Sequence, residues 1–159
     1  MGLFRACVTV IGLMGAAFAI QAQPINPIEA YAASGTNVLV ADIADGRLSG
    51  FGVLLNEETV DGPMLSNRFL RYKGLQIWLV CARDGPGEWR LAQVQITEGG
   101  PPTQFGIAPG ASRQAVERVL GRPTHAKGNR SFYQAESTQV TFEFRGSTVR
   151  KIVWDLHAE

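Results

Sequence analysis

The sequence predicts an α+β fold, an antiparallel sheet packed against short helices. Three observations carry this: β-rich runs from Val38 onward, clusters of Gly, Pro, Asp and Asn that break them, and one amphipathic stretch between Gly106 and Pro123. The chain begins differently. Arg5 precedes an uncharged apolar stretch, Ala6 to Ile20, that closes on small residues. This is the order of charged region, apolar region and cleavage site in a secretory signal peptide. A membrane anchor is the alternative, but about 15 apolar residues fall short of the roughly 20 that a spanning helix needs. Cleavage is expected after Ala22, with Ala17-Phe18-Ala19 offering a second site. Cys7 stands at the start of the apolar region, away from the cut where a lipid-attachment cysteine would stand, so no stable membrane anchor is expected. The expected location is the periplasm or the cell exterior.

Without residues 1–22 the 15 basic residues lose Arg5 and become 14, equal to the 14 acidic residues. A neutral chain has no broad attraction for nucleic acid or anionic lipid, whose binding rests on clustered Lys and Arg. Residues 23–37 carry turn formers without a lasting period and read as a partly ordered lead-in. Residues 38–159 suffice for a single domain with its own core. Cys81 is the one cysteine left, so no internal disulfide can form, and a buried thiol is expected.

Strands are expected at Val38 to Ile43, Phe51 to Leu55, Leu75 to Arg83, Trp89 to Thr97 and Gln104 to Ile107. Asp84-Gly85-Pro86-Gly87 supplies turn chemistry between two alternating runs and marks a hairpin. A helix of about two turns follows, in which Ser112 caps the start and Gly121 with Pro123 stops the end. Ala115, Val116, Val119 and Leu120 share its apolar face, and a helix this short needs a sheet beneath it. That sheet comes next: Ser131 to Gln134, Gln139 to Arg145 and Val149 to Leu156. A two-residue turn at Gly146-Ser147 would put Val140, Phe142 and Phe144 on one face with Lys151 and Asp155. A three-residue loop instead puts them beside Ile152, Trp154 and Leu156, with Glu143 near Lys151 on the other face, and is the expected arrangement.

The order glycine loop, Ser-capped helix, Leu-Gly-x-Pro stop, aromatic strand "SFYQ" and hairpin "QVTFEFRGSTVRKIVWDL" spans Phe105 to Leu156. It resembles the repeat unit of small secreted bacterial domains: the BamE (SmpA/OmlA) lipoproteins of outer-membrane barrel assembly and the β-lactamase-inhibitor-protein fold. The resemblance implies a fold and a non-catalytic protein-binding role, as an inhibitor or immunity-type protein or an envelope accessory factor. The chain departs from the lipoproteins in having no cysteine at its cleavage site. An earlier copy is suggested by "FGVLLNEETV", similar to "FGIAPGASRQAV", giving candidate repeat units 50–97 and 104–157; one continuous sheet is the alternative.

Catalytic chemistry has thin support. His125 and His157 have no neighbour at metal-ligand spacing, so no metal site and no cofactor is expected. A small secreted enzyme is the alternative function, either a hydrolase using Glu57, Glu58 or Asp61, or a thiol enzyme using Cys81. The "GIAPGAS" segment leads into a helix N-terminus, where backbone N–H groups could hold an anion. Exposed aromatic and arginine side chains are the usual means of protein recognition. On that ground the candidate binding residues are Trp89 and Arg90 beside the Gly-Pro-Gly turn, and His125, Lys127, Arg130 and Tyr133 in and after a polar loop. The expected partner is a protein of the cell envelope.

Overall fold

The computed structural model describes residues 26–33, 51–84, 87–101 and 103–156. The expected signal peptide, the strand Val38 to Ile43, the Gly85-Pro86 turn and His157 lie outside the described residues. Helix α1 covers 27–33. It is followed by β1 (Asn56–Asp61), β2 (Leu65–Tyr72), β3 (Leu75–Ala82), β4 (Arg90–Thr97), α2 (Arg113–Leu120), β5 (His125–Lys127), β6 (Arg130–Gln134), β7 (Thr138–Arg145) and β8 (Thr148–Leu156). The strands form one sheet in the order β1-β2-β3-β4-β8-β7-β6-β5, antiparallel throughout. It is two four-stranded meanders whose last strands, β4 and β8, pair at the centre.

The expected α+β class holds in a sheet-dominated form, and α2 is where its caps place it. The Ser112 hydroxyl accepts from the Ala115 N–H at 3.1 Å, and the Gly121 N–H donates to the Glu117 carbonyl at 2.9 Å. Val116 and Leu120 are buried against the sheet. Helix α1 lies within the expected lead-in, residues 23–37, whose turn formers gave no sign of it. Its Tyr31 is fully buried, with its ring 5.6 Å from Trp154 and 5.8 Å from Phe142. One aromatic residue docks a helix too short to persist alone.

Two expected strands are absent. Residues 51–55 are irregular, and the strand begins at Asn56 because its partner is β2, whose mixed sequence LSNRFLRY shows no clear alternation. Strand β1 also overturns the likeness of "FGVLLNEETV" to the helical segment, since Asn56–Asp61 is extended where Arg113–Leu120 is helical. Residues Gln104–Gly106 form a 3-10 turn, with Phe105 at φ 60°. The β2–β3 turn requires glycine twice over: Gly74 has φ +69°, and a Cβ there would sit 2.1 Å from the Gly100 nitrogen.

The β7–β8 hairpin reaches the expected facing by a different route. Its loop is the two-residue turn Gly146-Ser147, with Arg145 opposite Thr148. A register shift between Glu143 and Phe144 then restores the apolar set, pairing Val140 with Trp154, Phe142 with Ile152 and Phe144 with Val149. Arg150 is the extra residue of the bulge. Burial of aromatic side chains dictated the facing, and the bulge reconciled it with a tight turn.

Candidate binding surface

Side chains alternate along each strand, so the sheet has two faces. One carries the core, including Leu70, Ile77, Val94, Val140, Phe142, Ile152 and Trp154, and is covered by α1 and α2. No described element packs on the other, the open face. The strand registers set its side chains in rows. One row runs Lys127, Arg130, Glu143, Lys151, Thr97. The next runs His125, Phe132, Thr141, Val153, Gln95, Gln76, Arg71, Asn56. A third runs Gln134, Gln139, Asp155, Gln93, Trp78, Phe69, Glu58.

Two aromatic pairs stand on this face, one in each meander. Phe69 and Trp78 stack at 5.8 Å, and the Trp78 indole N–H donates to Asn67 Oδ1 at 3.0 Å, which fixes the ring. They border a hollow of about 340 Å³ lined also by Glu58, Arg71, Gln76 and Gln93. His125 and Phe132 stack at 5.6 Å. Between the pairs, Gln93 donates through Nε2 to Asp155 Oδ1 at 2.6 Å, bridging the central strands. Rigid aromatics among orientable amides make a surface suited to recognition.

Glu143 is the electrostatic centre of the first row and is only 9% exposed. Its carboxylate lies 3.1 Å from Lys151 Nζ, 3.7 Å from Arg150 and 3.8 Å from Arg130. The Lys151 hydrogen bond, aided by the charges of Lys151, Arg150 and Arg130, holds the carboxyl below its ordinary value, although burial opposes this.

Of the residues singled out in the sequence, His125, Lys127 and Arg130 come together on the open face. His125 and Lys127 do so on edge strand β5, where a polar loop was expected. Tyr133 does not join them. It alternates onto the core face, is fully buried with its ring edge-on to Phe142, and donates its hydroxyl to the Gly121 carbonyl at 3.2 Å. Burial pushes that hydroxyl up to about 12. A recognition role for Tyr133 is therefore withdrawn. Trp89 and Arg90 part company: Trp89 is half-buried against the core with the Arg68 guanidinium 5.9 Å from its ring, whereas Arg90 pairs with Val80 on the open face. Phe69 and Trp78 were missed. The signal was Trp78 at the alternate position between buried Ile77 and Leu79.

The groups considered for catalysis do not converge. Glu57 pairs with Arg68 at 2.6 Å, and Asp61 accepts from the Ser66 hydroxyl at 2.6 Å, both on the core-side parity of β1. Glu58 alternates onto the open face beside Phe69. Cys81 is half-buried rather than buried. Among the described residues no three His, Cys, Asp or Glu side chains form a metal-binding group. At the start of α2 the Gly110, Ala111, Arg113 and Ala115 N–H groups already donate to protein oxygens, as in a plain turn into a capped helix, the other reading of the GIAPGAS segment. No described helix is long and apolar enough to cross a membrane.

No family model, curated protein or solved structure matches the chain. The residues of the open face therefore carry the functional argument.

Proposed function

We propose that the protein, once exported by its N-terminal signal peptide, binds another protein of the cell envelope through the open face of its sheet. Its role is that of an inhibitor or immunity-type protein, or of an envelope accessory factor. The observation that supports this is the face itself: a single wide sheet that, among the described residues, is covered by helices on one side, with Phe69–Trp78 and His125–Phe132 standing on the other. Aromatics at least partly open to solvent and held by neighbouring side chains bind at low entropic cost.

The tandem reading is part of the same proposal. Two meanders meeting at β4 and β8 are what tandem units 50–97 and 104–157 would leave, the first opening on strand β1 where the second carries α2. The β3–β4 and β7–β8 hairpins then correspond. Such a unit is the one that resembles the BamE and β-lactamase-inhibitor-protein domains. A doubled sheet gives a binding area that neither half has alone.

Affinity capture from envelope extract of the native host tests the reading. The protein is expected to retain a dominant partner, Phe69→Ala/Trp78→Ala to lose it, and Arg118→Ala on the outer side of α2 to keep it. Equal recovery with all three would place the contact elsewhere or remove it.

A further inference from the structure

We infer that the corner of the open face formed by β5 to β8 receives a carboxylate-rich segment of the protein partner. This rests on the reading that the open face binds protein, and adds the chemistry of what is bound.

Five cations lie within two neighbouring rows of that corner: Lys127, Arg130 and Lys151 in one, and Arg145 with the bulge residue Arg150 at its end. Glu143 contacts three of them, and a single carboxylate cannot neutralise the group. Arg130 and Arg150 keep more than half of their side-chain surface open while touching it. Glu143 thus gathers the cations and leaves their remaining N–H donors directed to solvent. Of the carboxylates flanking the corner, Asp155 is engaged by Gln93, and Glu98 lines a hollow together with Arg145 and Arg150. Among the described residues, the opposite end of the face carries Arg71, with Glu58 beside Phe69, and no comparable cluster.

An acidic polypeptide fits this better than a lipid surface or a nucleic acid. Adjacent strands are about 4.8 Å apart, so the row from Lys127 to Lys151 covers roughly 14 Å, the reach of four or five extended residues. The adjoining row, Phe132, Thr141 and Val153, is mostly uncharged and would receive the apolar side chains of such a segment. A membrane or a nucleic acid would demand cations over a wider area, whereas the remainder of residues 23–159, apart from these five cations and Glu143, carries 9 basic against 13 acidic residues.

The test is fluorescence anisotropy of the purified protein with a labelled octaglutamate peptide, with octalysine, inorganic phosphate and vesicles containing 30% phosphatidylserine as alternative probes. Octaglutamate is expected to bind and to weaken with added salt. Lys127→Gln/Arg130→Gln, both exposed and outside the core, is expected to lower its affinity at least fivefold, whereas Arg118→Gln, on the outer side of α2, leaves it unchanged. Undiminished affinity in Lys127→Gln/Arg130→Gln overturns the inference, as does binding of the vesicles or phosphate without the peptide. Capture of an envelope partner that is lost with Phe69→Ala/Trp78→Ala but indifferent to Lys127→Gln/Arg130→Gln would keep the protein-binding reading and remove the acidic segment.

Discussion

Trp154 and Glu143 lie on adjacent strands, β8 and β7, of the second meander and show the two kinds of work that single residues do here. Trp154 is fully buried and stacked on Tyr31, so Trp154→Ala should lower unfolding free energy in urea by about 3 kcal/mol or more. Unchanged stability would mean that this face is not the core. Glu143 acts through charge. Because its folded pKa lies below the ordinary 4.5, its contribution to stability is complete above that value and disappears as pH falls through the lowered one. Glu143→Gln should therefore reduce stability at neutral pH and flatten its loss below pH 4.5, as read by denaturant midpoints across pH. Trp154 and Glu143 were both legible from alternation and from the cost of setting Lys151 and Asp155 among Val140, Phe142 and Phe144. Tyr133 was not: its polar neighbours in sequence suggested a surface, while its parity on β6 put the ring in the core and gave its hydroxyl the carbonyl at the end of α2.

At the scale of elements, local chemistry was a good guide wherever it decided the matter alone. Ser112 and Gly121 bound α2 as their types demand, and Ser112→Ala should cost about 1 kcal/mol in thermal or chemical denaturation. The elements that the sequence concealed are those made by partners. Strand β2 has polar and apolar residues mixed, and it becomes a strand because β1 and β3 flank it. Helix α1 depends on Tyr31 meeting Trp154 across the chain, a contact that no local pattern announces. Tyr31→Ala should release α1 and raise amide exchange at 28–33 while exchange in β7 and β8 stays slow. Equal loosening of α1 and the sheet would show that the helix is part of one cooperative unit.

For the whole molecule, the proposed function rests on an eight-stranded sheet whose described helices cover one side. The candidate residues His125, Lys127 and Arg130 were found in the sequence by their composition, yet their association with Phe132, Glu143 and Lys151 is a product of strand order and of the bulge at Arg150. Phe69 and Trp78, at the far end of the same face, escaped notice because an aromatic within a strand reads as core until its parity is known. The measurement that tests the central claim most directly is hydroxyl-radical footprinting of the protein free and in complex with its captured partner. Oxidation of Trp78, Phe69 and Phe132 is predicted to fall on binding, while exposed Phe105, near α1, remains as reactive as before. Protection of Phe105 with Trp78 and Phe69 unaffected would contradict the account and move the interface to the helical side.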